Sequence, residues 1–294
     1  MLKVTSISRS FGDKRVLDEV SFDVRPGRMT GFLGANGSGK TTTMRIILGV
    51  LAAHGGAVTW HGHPVTQSVR QQFGYMPEER GLYPKMPVAE QITWLAQLHG
   101  LTTATARRNT ERLLEQLELT ERANDKLESL SLGNQQRVQI AAALVHDPVL
   151  LILDEPFSGL DPIAVDTVLS VLRDRAADGV PVLFSSHQLA VVERLCDDLV
   201  IISRGSIAAA GPRDSLRAQY GSARFELVVD TDAGWLRDVP GIQVVDLDGP
   251  RAVFDLEPAG PGDQRVLRAA LERGAVRSFT PVVPSLDEIF KEAI

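Results

Sequence analysis

The chain has 294 residues, 44% of them hydrophobic and 23% charged, with a formal net charge of −6. This is enough apolar material for one large domain and a small one, which excludes disorder; acidic and basic residues are mixed throughout, leaving no basic face for nucleic acid or an anionic lipid surface. No apolar run approaches the roughly 18 residues of a membrane span. The start MLKVTSISRSFGD lacks the apolar stretch of a signal peptide, and the single cysteine, Cys196, excludes an intrachain disulfide, so a cytoplasmic location is expected.

Residues 2–24 read as two strands, LKVTSIS and VLDEVSFDV, joined by a hairpin turn at Gly12-Asp13. Phe11 at that turn either stacks on a nucleotide base or packs a sheet edge, and spacing does not choose between them. Next come a buried strand at 29–33, the eight residues Gly34-Ala35-Asn36-Gly37-Ser38-Gly39-Lys40-Thr41, and a helix from Thr42 to about Leu48 that ends at Gly49. G-x-x-x-x-G-K-T between a strand and a helix is a phosphate-binding loop. Glycines let backbone N–H groups close on phosphate oxygens, and the helix start adds partial positive charge. Lys40 is expected to reach the β- and γ-phosphates and the Thr41 hydroxyl to bind Mg²⁺.

Residues 57–60 and 73–76 read as strands of an antiparallel region beside this core, and His61 and His63 have no further ligands at metal-binding spacing. From 88 to 146 the pattern is helical, with VAEQITWLAQLHG, then ARRNTERLLEQLEL, then a third helix beginning near Asn134 behind a capping Ser131. The apolar run 149–153 ends in Asp154-Glu155, a helix spans 163–177, and a strand at 180–184 ends in Ser185-Ser186-His187. These are parallel-sheet units, whose ligands lie at the carboxyl ends of the strands, so Asp154, Glu155 and His187 point toward the phosphate held by Lys40. Cys196, within VVERLCDDL, reads as a buried thiol on a helix. Past 218, strands at 223–229, 242–247 and 251–256, a helix at 264–273 and a closing helix at 285–294 make a second, small α/β domain with no chemistry attached to it.

Three stretches in series, LSLGNQQRVQIAAALVHDP at 130–148, LLILDEPFSGLDP at 150–162 and SSH at 185–187, carry a resemblance. With the phosphate loop they resemble the ATP-binding subunit of an ABC transporter over residues 1–217. The resemblance implies a P-loop NTPase cassette of the α/β class: a parallel-sheet core, an antiparallel β subdomain and a helical subdomain at about 79–147. The small domain is then 218–294. It implies that ATP sits on Gly34, Asn36, Gly37, Ser38, Gly39, Lys40, Thr41 and Thr42, with Phe11 stacked on adenine. Asp154 would orient the Mg²⁺ shell, Glu155 polarise the attacking water and His187 contact the γ-phosphate. Ser131 and Gly133 would meet the ATP of a second copy, with Asp161 between the two protomers, although Ser131 also reads as a plain helix cap.

The sequence departs from the family pattern in two places. The signature LSGGQ is LSLGN here, with Leu132 and Asn134 as the changes, and Glu78 follows the proline of GYMP where a glutamine is usual. Glu78 either helps hold Mg²⁺ or faces solvent beside Glu79 and Arg80. The ending VVPSLDEIF resembles the tail of cassettes that serve drug or sodium efflux, which implies export through a separate polytopic permease. The chain has no N-K-x-D element for a GTPase, and a small-molecule kinase leaves LSLGNQQRV unexplained. A soluble ABC ATPase acting on nucleic acid or ribosomes is the rival, usually marked by tandem cassettes, zinc cysteines or long heptads; a non-hydrolysing ATP switch is opposed by Glu155.

Overall fold

The computed structural model describes the whole chain apart from residues 80, 188, 221–222, 258–259 and 283–294, so the closing helix expected at 285–294 lies outside the described residues. The chain divides into two compact units, Met1–Arg213 and Asp214–Ile294.

In chain order the first unit runs β1 (Leu2–Phe11), β2 (Lys14–Val24), β3 (Met29–Leu33), α1 (Lys40–Ile47), β4 (Gly55–Trp60), β5 (His63–Pro64), α2 (Gln67–Arg70) and β6 (Phe73–Met76). It continues α3 (Val88–Leu98), α4 (Thr103–Gln116), α5 (Leu132–Leu144), β7 (Leu150–Leu153), α6 (Pro162–Ala177), β8 (Val182–Ser185), α7 (Leu189–Leu195), β9 (Asp198–Ser203) and β10 (Ser206–Pro212). The strands β3, β7 and β8 are buried at every residue, the pattern of a sheet covered on both faces. They form the centre of a six-stranded sheet ordered β10-β9-β3-β8-β7-β6, parallel except for β10. A second sheet, β2-β1-β4-β5, is antiparallel, and its inward residues Leu2, Val4, Ile7, Leu17 and Val20 join Phe32, Met44 and Ile152 in one core.

Residues 73–76 do not belong to the antiparallel region, as their sequence led us to expect. As β6 they pair parallel with β7, Phe73 opposite Leu150 and Met76 opposite Leu153. The reason lies in Gly74, where any Cβ would collide with the Ala143 carbonyl of α5: the missing side chain lets that helix close over the strand, and a strand covered in this way belongs in the core. The consequence is that Pro77, Glu78 and Glu79 leave from the same end of the sheet as Asp154. The third helix of the helical region starts at Leu132 rather than near Asn134. Cys196 follows α7 instead of lying within it; it is buried, and burial pushes its thiol well up from the ordinary range.

After α8 (Arg213–Tyr220), the second unit contains β11 (Ala223–Val229), β12 (Ile242–Asp248), β13 (Arg251–Leu256), α9 (Asp263–Arg273) and β14 (Val276–Val282). Its strands form an antiparallel sheet ordered β12-β13-β11-β14 around Leu227, Phe254, Val266 and Ala270, with Phe225 stacked on Phe279 at 5.1 Å.

Candidate nucleotide site

The loop between β3 and α1 requires its glycines. A Cβ at Gly34 would collide with Ser38 Oγ and the Ile202 carbonyl, while Gly37 (φ 78°) and Gly39 (φ 113°) occupy the left-handed half of backbone space. Gly37 borders open space, so the loop is accessible on that side. Lys40, the first residue of α1, is buried and donates from Nζ to the carbonyls of Gly34 (2.6 Å) and Ala35 (3.3 Å). Burial lowers its pKa, opposed by the charges of Glu155, Asp154 and Glu78, so all three carboxylates act on this ammonium. Ser38 Oγ is buried and has no partner, an acceptor and donor left over beside the loop.

A chain of hydrogen bonds crosses the ends of β7 and β8 and reaches α1. Thr41 Oγ1 donates to Asp154 Oδ2 (2.9 Å), Ser185 Oγ donates to Asp154 Oδ1 (2.5 Å), and the Glu155 N–H donates to Ser185 Oγ (2.8 Å). Glu155 has φ 52°, a left-handed conformation that costs a non-glycine residue about 1 kcal/mol. Gln136 of α5 helps hold it, donating from Nε2 to the carbonyls of Glu155 (3.0 Å) and Pro156 (3.2 Å). The Glu155 side chain is only 11% exposed, and its Oε2 lies 2.8 Å from His187 Nδ1. An ionised carboxylate can only accept, so Nδ1 carries the proton there; a neutral His187 then presents Nε2 as an acceptor, and donation from both nitrogens requires the imidazolium.

Glu78 is exposed and lines a cavity of about 250 Å³ with Thr41, Arg45, Tyr75 and Asp154. Gln139 fixes the segment on either side of it, donating from Nε2 to the carbonyls of Pro77 (2.8 Å) and Glu79 (3.2 Å). Burial raises the Tyr75 phenol, Asp154 adds to the rise, and the charge of Arg45 opposes it. Hydroxyl and carboxylate oxygens are the donors a hard divalent cation takes. Among the described residues no cluster of three His, Cys, Asp or Glu could hold a metal ion, so phosphate and water oxygens would have to complete the shell. With the unpartnered Ser38 hydroxyl, this donor set fits a nucleotide carrying its magnesium.

Ser131, Gly133 and Asp161 gather elsewhere, at the starts of α5 and α6. Ser131 Oγ accepts from the Asn134 N–H (3.3 Å), and Asp161 Oδ1 from the Ala164 N–H (2.8 Å). A Cβ on Gly133 would stand 3.5 Å from the Gly159 carbonyl, so the two helix starts adjoin. Among the described residues no hydrogen bond joins Ser131 or Asp161 to residues 34–41. The Asn134 amide is used within its own helix, accepting from Arg137 at 2.5 Å. Phe11, at the end of β1, is 48% exposed. Gln136, Gln139, Arg45 and Tyr75 were not singled out from the sequence. The two glutamines left a signal, being three apart on the buried face of a helix where a primary amide must find partners.

Comparison with known proteins bears on these residues. Residues 17–158 match the family model described as ABC transporter, and residues 211–294 match that of the ATP-binding protein DrrA1-3-like, C-terminal domain. The ABC transporter ATP-binding protein YhaQ of Bacillus subtilis (strain 168) is 38% identical over 296 residues, covering 100% of this chain and 98% of the relative. The Nod factor export ATP-binding protein I of Burkholderia pseudomallei (strain 1710b) is 38% identical across 79% of this chain and 77% of its own length. A solved structure of the ATP binding subunit of an ABC transporter superposes with a TM-score of 0.70 at 35% identity, covering 75% of this chain and 93% of that one.

Proposed function

This chain belongs to the family of ABC transporter ATP-binding proteins, and from that membership we propose that it hydrolyses ATP to power export of a substrate through a separate polytopic permease. No helix among the described residues is long and apolar enough to cross a membrane, which supports a peripheral place on the cytoplasmic face, reached through the permease. Similarity to an export ATP-binding protein and to the DrrA1-3-like C-terminal domain supports the outward direction. We infer that residues 1–217 are the cassette and 218–294 an accessory domain.

The observation that carries the reading is the hydrogen-bonded series Thr41, Asp154, Ser185, Glu155, His187, which ties the phosphate-loop helix to two strand ends. In this reading the N–H groups of residues 34–42 and the Lys40 ammonium bind the phosphates, Lys40 exchanging the carbonyls of Gly34 and Ala35 for phosphate oxygens. Glu155, held by Gln136 and by His187, accepts the proton of the water that attacks the γ-phosphorus. Thr41, Asp154 and Glu78 would hold magnesium, which when bound neutralises charge on the β- and γ-phosphate oxygens. Phe11 would stack on adenine, and a second copy's Ser131, Gly133 and Asp161 would close over the nucleotide.

Two substitutions test the assignment by failing differently. Glu155→Gln keeps the shape of the base and loses its proton affinity, so ATP should stay bound while turnover falls by about 10²–10⁴-fold. Lys40→Ala removes charge from the phosphate site, so nucleotide retention itself should drop. Tight ATP binding with normal hydrolysis by Lys40→Ala would overturn the phosphate-loop reading. Purification of the tagged chain from membranes should bring down a polytopic protein; its absence would count against the transport role.

A further inference from the structure

The hairpin of β1 and β2 leans on the phosphate loop. Val16 O lies 3.2 Å from where a Cβ on Gly39 would stand, and the turn after β9 ties the two together: the Asp18 N–H donates to Gly205 O (2.8 Å) and the Gly205 N–H to Ser38 O (3.2 Å). Phe11 pairs with Lys14 at the tip of this hairpin, two residues or about 7 Å along the strand from Val16. An exposed aromatic ring therefore stands at the tip of a hairpin packed against the phosphate loop.

One neighbour of that ring is fixed with unusual care. Arg9 sits two residues before Phe11, on the same side of β1, with its guanidinium carbon 4.9 Å from the ring centroid. Its Nη1 donates to the Ala52 carbonyl (2.9 Å) and to His54 Nε2 (3.0 Å), and its Nε is buried with no partner. His54 is itself pinned to β1, its backbone N–H donating to Ser8 O (2.8 Å). The segment entering β4 thus holds a cation against Phe11, although the ring remains 48% exposed.

We propose that Arg9 is a positioning residue for the purine: anchored by Ala52 and His54, it covers one face of Phe11 and presents the other to adenine. A guanidinium over one face does two things. It restricts the rotamers of an otherwise loose ring, and it draws π-electron density toward itself, so that an electron-rich purine stacks better on the opposite face. The proposal rests on the reading of Phe11 as the base-stacking residue and adds a residue that does not touch the nucleotide.

The test compares binding of ATP with binding of inorganic tripolyphosphate, which keeps the phosphate contacts and has no base. Arg9→Gln should raise the Kd for ATP about fivefold and leave that for tripolyphosphate unchanged, the scale of an exposed cation–π contact. Arg9→Lys, which keeps the charge, should recover part of the loss. Phe11→Ala should weaken ATP at least as much, and in that background Arg9→Gln should add nothing. If Arg9→Gln weakens tripolyphosphate as much as ATP, Arg9 merely supports the hairpin and the proposal is overturned. If Phe11→Ala weakens ATP and Arg9→Gln does not, the role of Arg9 falls while base stacking stands. If Phe11→Ala leaves ATP binding intact, base stacking falls and the proposal with it.

Discussion

Glu78 shows what one side chain can change at this site. A carboxylate about 4 Å from a phosphate charge is repelled by roughly 4 kcal/mol at an effective dielectric near 20, a cost that a neutral glutamine avoids. Here Glu78 shares a cavity with Asp154 and Thr41, and Arg45 stands on the same wall. Its charge also acts on Lys40, after those of Glu155 and Asp154, which places it within electrostatic reach of the phosphate loop. A divalent cation reverses the sign of the local field, so Glu78 should attract ATP with metal and oppose ATP without it. Glu78→Gln is therefore expected to raise the Mg²⁺ concentration for half-maximal hydrolysis several-fold and to strengthen ATP binding in chelator. Unchanged values of both would leave Glu78 as a solvent-facing residue of its loop. That the position is unusual was legible in the sequence, because the motif around it is local. That Glu78 meets Thr41 and Asp154 came from the family resemblance and not from local spacing, because the three come together only when β6 pairs beside β7.

Among whole elements the same rule separates what could be read from what could not. The phosphate loop, the buried runs of β3, β7 and β8 and the cap of α5 are written in contiguous residues. The partner of β6 is not, since parallel pairing joins Phe73 to Leu150 through the entire helical region. Strands β9 and β10 escaped notice because the apolar spacing of α7 runs on through Cys196 into DLVIIS, and helix and buried strand look alike over so short a window. The junction of α5 and β6 also carries a titratable group. His146 Nε2 lies 3.2 Å from Phe73 O, and its ring stacks on His99 at 3.7 Å with planes 10° apart. Burial first, then the charge of His99, lower its pKa from 6.5 to about 4, with Phe73 O and Asp147 opposing. Between those values the unfolded chain binds a proton that the folded chain refuses, so stability is lost as pH falls from about 6.5 toward 4. Wild-type protein should lose more Tm between pH 7 and pH 5 than His146→Asn, which starts lower and has no imidazole to charge. Parallel acid slopes for the two proteins would remove His146 as the cause.

At the scale of the whole molecule, no hydrogen bond among the described residues joins the starts of α5 and α6 to the phosphate loop of their own chain. Leu132 and Ile163 stand at these starts with 59% and 76% of their surface exposed, apolar side chains largely open to solvent in one chain. The Ser131 hydroxyl caps the helix, and the first-turn N–H groups of α5 still present partial positive charge. A second copy carrying ATP would supply the missing partner, its γ-phosphate meeting those N–H groups and its surface covering Leu132 and Ile163. Two chains would then close on two nucleotides, and hydrolysis would release them. Glu155→Gln, which should hold ATP without consuming it, is expected to be a dimer by light scattering with ATP and a monomer without it. Adding Ser131→Glu tests the geometry directly, because a carboxylate at the α5 start repels the incoming γ-phosphate while the chain's own phosphate loop is untouched. That double variant should bind ATP and stay monomeric. A dimer that survives Ser131→Glu, or a Glu155→Gln protein that stays monomeric at saturating ATP, would show that the two helix starts serve as caps alone.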